Sequence, residues 1–406
     1  MALVLQTATF AHQYLNSFLY AQPTKPPDAL KLGVLSSAQI NAAAIIHPVE
    51  THPHITLYGI ASRTQHTAQS QAKKYAFKQA YGSYQALIDD PVINVVYIST
   101  PNGQHYEWTV KAINSGKHVL VEKPFMSNGD EARRVIELAE KKGVIVEEAF
   151  HWQFHPAAHK FREILQSGQF GKILRTNALM TASPGVPEGD IRWQFDLAGG
   201  SAMDMTYALS FTRYALETSH PKTIHSVTMK PYAQDHRVDE AMYAYLTFPA
   251  SDAVGGGDVQ SSIYTDMSRS WSLNIIPKVW ELPSIEIETE KTFVYFYNAM
   301  MPHLYHYISV KEKLTGKTAY YRQYSGGPIW GEHTTSDGGK GGKKGWSTYR
   351  WQLEAFVEKV RGGQPPVWVG GEESVVQMEV IDSLYKAAGM PVRGDKTGGE
   401  GGEKQG

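Results

Sequence analysis

The feature that most constrains the fold is an alternation of strand-like and helix-like segments over residues 31–150. Apolar runs rich in β-branched residues, such as KLGVLSS and INVVYIST, are each followed by a segment with helical spacing, and KHVLVEKP is followed by DEARRVIELAEKKG. Strands and helices that alternate at this length build a parallel sheet with right-handed crossovers. The sequence therefore predicts a doubly wound α/β domain at residues 31–150.

The pattern changes beyond residue 150, where helical spacing becomes rare. Runs rich in Thr, Tyr and Val follow one another, among them ILRTNALMTA, AMYAYLTF, VQSSIYTD and KTFVYFY. Such runs predict a large, mostly antiparallel open sheet, and hence an α+β domain over residues 151–393. Two late segments, residues 347–361 and 372–389, regain helical spacing near glycines, so we expect them to pack back on the first domain.

The remaining segments have no strand or helix pattern of their own. Residues 1–30 are predicted to form an N-terminal arm, because they are rich in aromatic residues and end in a Pro-rich joint. The Gly- and Lys-rich residues 325–346 predict a long mobile loop. Residues 394–406 predict a disordered tail.

Composition and charge narrow the kind of partner. The 39 basic and 40 acidic side chains nearly cancel, which argues against nucleic acid or an anionic membrane surface. No apolar stretch reaches the about 18 residues of a membrane span, and no cysteine is present for disulfides or thiolate chemistry. The first 24 residues contain no Lys or Arg, unlike a secretory or transit leader. We therefore expect a cytoplasmic protein with a small-molecule substrate.

The turn after the first predicted strand is a candidate cofactor site. A nucleotide-binding sheet places its ligand at the carboxyl ends of its strands, where the first turn is usually G-x-G-x-x-G. Here the glycine positions are assigned to Gly33, Ser36 and Ala38, although an ordinary strand-to-helix turn would show the same pattern. Small side chains still let the backbone approach a pyrophosphate, and the next helix offers its N-terminus. The predicted contacts also include three neighbours: Ser37, Gln39 and Ile40.

The end of the second predicted strand indicates which dinucleotide is bound. An acidic residue there would bond the ribose hydroxyls of NAD, whereas this chain carries Ser62, Arg63 and Thr64. A guanidinium and two hydroxyls suit a 2′-phosphate, which Arg binds through two parallel hydrogen bonds. The sequence therefore favours NADP over NAD, the alternative being an exposed Arg63 that contacts nothing.

Four motifs in succession carry a family resemblance. They are ASR at the second strand, STPNGQHYEW after a later one, GKHVLVEKP, and GGSAMDMTY in the second domain. Together they resemble the glucose-fructose oxidoreductase, inositol dehydrogenase and MocA family over roughly residues 30–390, and most of all its branch of dimeric dihydrodiol dehydrogenases and NADP-dependent D-xylose dehydrogenases, fungal type. The resemblance implies a Rossmann domain followed by an α+β domain whose open sheet binds substrate on one face and often forms a subunit interface on the other. It also implies hydride transfer at C4 of the nicotinamide.

The resemblance assigns residues to the cofactor and to the chemistry. Lys123 of the Glu-Lys-Pro motif would lie beside the nicotinamide ribose and the reacting oxygen. A Lys at a strand's carboxyl end could there stabilise or relay the alcohol proton, whereas a surface Lys before a proline is the unremarkable alternative. The other cofactor contacts that the resemblance implies follow the two later strands: Thr100, Pro101, Asn102, His105 and Glu122.

A second catalytic candidate lies in GGSAMDMTY, where Asp204 and Tyr207 project from a predicted helix that lines the cleft. Related proteins resemble this segment but separate the Asp from the catalytic Tyr or His by three residues, and here the separation is two. Tyr207 is predicted as the acid or base. The alternatives are Ala208 as the matching position and a core role for Tyr207.

The segment AFHWQFHPAAHKF spaces His151, His155 and His159 by four residues, which invites a metal site on one helical face. Pro156 interrupts that spacing, so no metal is predicted. The resemblance instead puts His155 near the substrate and Gln153 where related chains often carry Arg. The loss of that positive charge predicts a substrate different from those of close relatives. By the same resemblance, two later residues are predicted to line the substrate cleft: Arg192 and Trp193.

These features and the resemblance predict an NADP-dependent oxidoreductase that transfers hydride between the nicotinamide and a carbinol or carbonyl carbon of a sugar-like or cyclic polyol substrate. The resemblance also implies that it acts as a homodimer. Two alternatives stay open. One is a family member recruited to specialised metabolism that reduces a ketone, an imine or an activated alkene, or acts without net redox change. The other is a non-catalytic NADP(H)-sensing protein, which would need neither Lys123 nor Tyr207.

Overall fold

The computed structural model describes residues 8, 11, 12, 22–273 and 275–394. Within these residues, a six-stranded parallel sheet precedes an eight-stranded, mostly antiparallel sheet, which confirms the predicted fold class. None of the helices in these ranges is both long and apolar enough to cross a membrane. Most of the predicted N-terminal arm and nearly all of the predicted tail lie outside the described residues.

The strands of the first sheet run in the order β3-β2-β1-β4-β5-β6, all parallel. The chain order reverses between β1 and β4, so a crevice opens there at the carboxyl ends of the strands, where such sheets bind ligands. The strands are Leu30–Leu35, Ile55–Ala61, Gln79–Tyr81, Val95–Ile98, His118–Val121 and Val146–Glu148.

Helices cover this sheet and begin and end where local sequence dictates. Thr64 accepts a hydrogen bond from Thr67 N at the start of α2, and Asn128 accepts one from Glu131 N at the start of α5. Helix α5 ends at Gly143 in the left-handed conformation. A π-helical segment, Ala42–Ile46, leads into α1, and the helices α1 to α5 are His47–Glu50, Gln65–Tyr75, Tyr84–Ile88, His105–Asn114 and Gly129–Lys142.

The second sheet has the order β14-β13-β12-β11-β7-β10-β9-β8, in which β7 and β10 are parallel and the other pairs antiparallel. Buried and less buried residues alternate along β12, so one face packs on helices while the other is partly exposed. Strands β7 to β14 are Ile173–Thr181, Thr223–Pro231, Asp239–Ala250, Gly257–Asp266, Ser284–Thr289, Thr292–Tyr297, Tyr307–Glu312 and Thr318–Tyr321. The helices α6 to α8 are Pro156–Gln166, Ser201–Asp204 and Tyr207–Leu216.

Two late helices contact elements of the first sheet. In α10, Thr348–Val360, Leu353 and Phe356 share one buried cluster with Leu32 of β1. Helix α11, Gly371–Ala387, lies against α5, where Gly129 N donates a hydrogen bond to Asp382 Oδ2 at 2.8 Å. The burial of apolar surface in these contacts holds the C-terminal helices on the N-terminal sheet.

The segment 325–346 differs from the predicted mobile loop. It contains helix α9, Gly327–Trp330, and Trp330 is fully buried with its Nε1 donating to Phe154 O at 2.8 Å. Trp346 is also buried, against Trp351. The prediction weighted the glycines and lysines and missed the two tryptophans, which supply enough apolar surface to pack the segment.

Candidate active site

The turn after β1 is held by side chains where a nucleotide-binding turn usually has glycines. Ser36 has φ +98°, a left-handed conformation that is costly for a residue with a Cβ. Its Oγ donates to Ser99 O at 3.0 Å, and Asn41 Nδ2 donates to Ser36 O at 2.9 Å. Ser99 Oγ in turn donates to Asn41 Oδ1 at 2.6 Å. These bonds join the ends of β1 and β4, the two strands that border the crevice.

Gly33 does not belong to this turn, in contrast to the prediction. It lies within β1, and a Cβ on it would come 2.5 Å from Leu87 Cδ2, so its missing side chain makes room for the core. Counted from the end of the strand, the small-residue pattern is Ser36-x-Ala38-x-x-Asn41. Asn41 was missed, and anchoring the G-x-G-x-x-G spacing at the strand end would have found it.

The other predicted cofactor residues of this edge lie at the mouth of the crevice. Ser37 and Gln39 are exposed, and Ala38 and Ile40 are half-buried. At the end of β2, Ser62 is buried and its N donates to Tyr81 O, whereas Arg63 is exposed. Thr64, besides being exposed, caps α2.

The turn after β4 brings the next predicted set to the same edge. Asn102 Nδ2 lies 3.5 Å from Ala198 O, and Pro101 is half-buried. Thr100 is buried, and its Oγ1 has no hydrogen-bond partner among the described residues. His105 was predicted to contact the cofactor, but its side chain is fully buried. Its Nδ1 lies 2.9 Å from Pro124 O, and its Nε2 lies 2.9 Å from Thr100 O. It supports the turn from beneath.

These residues fit a dinucleotide. Small side chains and a helix start follow β1, an exposed guanidinium follows β2, and the orphaned hydroxyl of Thr100 lies at the end of β4. A dinucleotide bound along such an edge needs backbone access at the first turn, a partner for the adenosine ribose at the second strand and hydroxyl or amide contacts beyond it.

Lys123 follows β5 and points to a residue of the second half of the chain. Its Nζ donates to Asp204 O at 2.6 Å and to Asp204 Oδ1 at 3.0 Å. The two side chains are 17% and 16% exposed, so the pair is partly accessible to solvent. The structure thus brings together the predicted catalytic Lys, which follows β5, and the predicted Asp, which ends helix α7.

Arg192 completes a charged cluster around Asp204. Its Nε lies 3.0 Å from Asp204 Oδ1, and its NH1 donates to Asp190 Oδ1 at 3.1 Å. Burial alone would raise the pKa of Asp204, but the positive charges of Lys123 and Arg192 lower it well below its usual value. Asp204 is therefore ionised at neutral pH and holds both cations at the edge of the crevice.

Tyr207 comes beside Lys123 because the helix is broken. Helix α7 ends at Asp204, and α8 begins afresh at Tyr207. The ring centroid of Tyr207 lies 5.5 Å from Lys123 Nζ, and its hydroxyl lies 2.9 Å from His151 Nε2. Ala208, the alternative match, is fully buried in the core. Burial and the neighbouring Tyr349 and Glu122 raise the pKa of Tyr207 well above that of a free tyrosine.

Glu122 and Tyr97 form a pair below the lysine. The Tyr97 hydroxyl donates a hydrogen bond to Glu122 Oε1. Burial raises the pKa of Glu122 although Tyr97 and Lys123 oppose it. Tyr97 was missed as a site residue, because its strand reads as an ordinary buried strand and nothing in the sequence pairs it with a residue 25 positions later.

The predicted substrate residues lie deeper than expected. Gln153 Nε2 contacts Ser210 Oγ at 3.4 Å, and the backbone oxygen of Gln153 accepts a hydrogen bond from His159 Nε2 at 2.8 Å. His155 is fully buried and caps α6, accepting a hydrogen bond from Ala157 N, which differs from the predicted place near the substrate. Trp193 is 6% exposed and stacks on Tyr232 with ring centroids 4.3 Å apart. Among the described residues, no His, Asp and Glu group could hold a metal ion.

Comparison with known proteins gives the family. The GFO_IDH_MocA family, described as an oxidoreductase family with an NAD-binding Rossmann fold, matches residues 32–150. A D-xylose 1-dehydrogenase (NADP(+)) 2 of Haloferax volcanii is 30% identical over 363 residues, which cover 88% of this chain and 97% of that protein. The chain belongs to the glucose-fructose oxidoreductase, inositol dehydrogenase and MocA family. As a member of this family, it is an NAD(P)-dependent dehydrogenase or reductase.

Two further proteins are similar to this chain. A D-xylose 1-dehydrogenase (NADP(+)) of Hypocrea jecorina is 25% identical over 327 residues, 77% of each chain. The crystal structure of KijD10, a 3-ketoreductase from Actinomadura kijaniata in complex with NADP and TDP-benzene, has a TM-score of 0.68 at 19% identity and covers 88% of this chain and 98% of that one. At 19% identity, the similarity to KijD10 is evidence for a shared fold alone.

Proposed function

We propose that this family member transfers hydride between NADP and a carbinol or carbonyl carbon of a sugar-like or cyclic polyol substrate. The observation that carries the proposal is the contact of Lys123 with Asp204 at the carboxyl edge of the first sheet, with the ring of Tyr207 beside it. The similarity to NADP-dependent D-xylose dehydrogenases supports the cofactor, the substrate class and the branch of the family. A protein that only sensed NADP(H) would have no use for this constellation.

The residues of the chain divide the proton chemistry among them. Lys123 holds the reacting oxygen and stabilises negative charge on it, while Asp204 fixes the ammonium group in place. In reduction, Tyr207 gives its hydroxyl proton to that oxygen and becomes a tyrosinate; oxidation is the reverse, in which the tyrosinate form takes the hydroxyl proton of the substrate. Bound NADP would supply the acceptor or donor of the hydride. Arg192, bonded to Asp204, borders the same space and is proposed to bind a substrate hydroxyl.

The cofactor preference rests on the end of β2. Arg63 is exposed there, and its neighbours Ser62 and Thr64 are not acidic. This favours a 2′-phosphate over the free ribose hydroxyls of NAD.

We further propose a homodimer through the outer face of the second sheet. A ladder of tyrosines lines that face, with Tyr297 stacked on Tyr307 at 5.1 Å and Tyr307 in edge contact with Tyr320 at 5.8 Å. Trp280, next to the ladder, is 50% exposed. Apolar and aromatic patches of this kind mark protein interfaces. Light scattering after size exclusion tests the proposal, and a monomer at micromolar concentration would contradict it.

The function is tested with purified protein in two steps. Fluorescence titration should show NADPH binding at micromolar concentration, typical of such sites. Initial rates of NADPH formation from NADP and a panel of aldoses and cyclic polyols, D-xylose first, should then show turnover with at least one of them. Failure to bind NADPH would overturn the NADP assignment, and binding without turnover across the panel would overturn the substrate class.

A further inference from the structure

A hydrogen bond joins the catalytic tyrosine to a histidine that no motif assigns. Tyr207 Oη and His151 Nε2 lie 2.9 Å apart, and both side chains are almost fully buried. The imidazole of His151 packs on the ring of Tyr349 with centroids 4.0 Å apart, so its position is fixed from the other side. His151 comes from the short 3-10 turn His151–Phe154 that follows β6.

The charge state of His151 follows from its surroundings. Burial and the neighbouring Lys123 lower the pKa of His151 to about 3, so the imidazole is neutral throughout the physiological range. The other titratable groups near it, His303 and Tyr349, are uncharged at neutral pH as well, because burial lowers the pKa of His303 and raises that of Tyr349. A neutral imidazole has one N–H donor and one acceptor nitrogen.

The two tautomers of His151 differ in what they leave unsatisfied. Its Nδ1 has no hydrogen-bond partner among the described residues. If Nδ1 carried the hydrogen, a buried N–H donor would be left unpaired, and Tyr207 would have to donate its own hydroxyl hydrogen to Nε2. If Nε2 carries the hydrogen, Nε2–H donates to Tyr207 Oη, the lone pair of Nδ1 is left unpaired, and the hydroxyl hydrogen of Tyr207 is left to an acceptor other than His151. Orphaned buried N–H groups are the rarer of the two cases.

We propose that His151 is a positioning residue that donates its Nε2–H to Tyr207 Oη and so directs the hydroxyl hydrogen of Tyr207 away from itself, toward the substrate oxygen beside Lys123. This inference rests on the proposed function. It explains how Tyr207 reaches a useful orientation although the chain has two residues between Asp204 and Tyr207. In oxidation the same Nε2–H donates to the tyrosinate form of Tyr207 and stabilises it as the acceptor of the substrate's hydroxyl proton. No proton passes to His151, so it stays neutral in both directions.

Two substitutions separate this role from simple packing. His151→Phe keeps a ring against Tyr349 but cannot donate a hydrogen bond. His151→Gln places an amide N–H near the position of Nε2 and can donate, but it cannot take up a proton. With D-xylose and NADP as probes, kcat should fall about tenfold or more in His151→Phe and stay within about threefold of wild type in His151→Gln. KM and the Kd for NADPH should change little in either variant.

The Tyr207→Phe background gives the matched control. If His151 acts through Tyr207, adding His151→Phe to Tyr207→Phe should cause no further loss of kcat. Equal activity of His151→Phe and wild type would overturn the proposal. Equal impairment of His151→Gln and His151→Phe would also overturn it, since a proton relay would then be needed.

A measurement without turnover decides the tautomer. In protein labelled with 15N-histidine, long-range 15N–1H spectra distinguish Nε2–H, Nδ1–H and imidazolium forms, and the signal missing from His151→Gln identifies His151. The Nε2–H form is expected at neutral pH, with a nitrogen shift that changes in Tyr207→Phe. An Nδ1–H or imidazolium form would overturn the proposal, even if the wild-type protein binds no NADPH and the proposed function fails on that ground.

Discussion

Lys123 Nζ lies 2.6 Å from the backbone oxygen and 3.0 Å from the Oδ1 of Asp204, a residue 81 positions further along the chain. The lysine follows a strand of the first sheet, and the aspartate ends α7, ahead of most strands of the second sheet. This contact joins the two halves of the proposed site. Its geometry fixes where a reacting oxygen can be held.

We expect turnover to depend on the negative charge of Asp204 more than on the shape of its side chain. Asp204→Asn keeps the size and the backbone contact but removes the carboxylate shared by Lys123 and Arg192. We expect kcat for the NADP-linked reaction to fall tenfold or more, on the order of effects seen for groups that orient a catalytic residue. Asp258→Asn, which removes the carboxylate of an exposed pair with Lys222, is the matched control. Unchanged kcat in Asp204→Asn would remove this role.

The left-handed conformation of Ser36 predicts an order of stabilities. Ser36→Ala loses the hydrogen bond to Ser99 and keeps the unfavourable φ, so it should lower the free energy of unfolding by about 1 kcal/mol. Ser36→Gly loses the same bond but relieves a conformation that costs about 1–2 kcal/mol with a Cβ. Urea unfolding should therefore rank the glycine variant above the alanine variant. The reverse order would show that φ at this position is not strained.

Much of this architecture can be predicted from the sequence because its signals are local. The strand ends that carry Arg63, Thr100 and Lys123 follow from apolar runs and the turn residues behind them. The strand Gln79–Tyr81 was not predicted, because three residues without a β-branched side chain are too few to show the alternation of a strand. Its place in the sheet is decided by pairing with β2.

The parts that could not be predicted depend on contacts distant in sequence. The break that turns Tyr207 toward Lys123 is held at Thr206, which accepts two hydrogen bonds from Gln377, 171 positions away. His155 is enclosed by Trp351 and other rings of later segments, so its motif alone could not tell a substrate contact from a helix cap. Residue type showed which groups could react, and long-range packing decided which of them meet.

Burial of Glu148 predicts a pH dependence of stability. Burial raises the pKa of Glu148 to about 8, against about 4.3 in an unfolded chain. Between these values the native state binds more protons than the unfolded state, so this group makes stability fall as pH rises, by up to about 1.4 kcal/mol per pH unit. Glu148→Gln cannot titrate and should therefore gain stability relative to wild type from pH 5 to pH 8, as urea unfolding at each pH would show. Glu137→Gln, on an exposed position of α5, should follow wild type, and a constant difference for Glu148→Gln would contradict the prediction.

Arg63 is expected to set the cofactor preference. Arg63→Ala removes the cation proposed to bind the 2′-phosphate, so kcat/KM for NADP should fall about tenfold or more while that for NAD changes little. Lys73→Ala, on the exposed side of α2, controls for a general loss of positive charge. An unchanged ratio of the two kcat/KM values would remove Arg63 from cofactor recognition.

The central claim is that the amine of Lys123 handles the reacting oxygen beside the nicotinamide. It is tested most directly by the turnover of Lys123→Met with NADP and a substrate of the wild-type protein, with Lys141→Met, an exposed lysine, as control. We predict a fall in kcat of about 100-fold or more, in a variant that still folds and binds NADPH with a Kd close to wild type. Turnover of Lys123→Met within twofold of wild type, roughly 0.4 kcal/mol of barrier, would contradict the account.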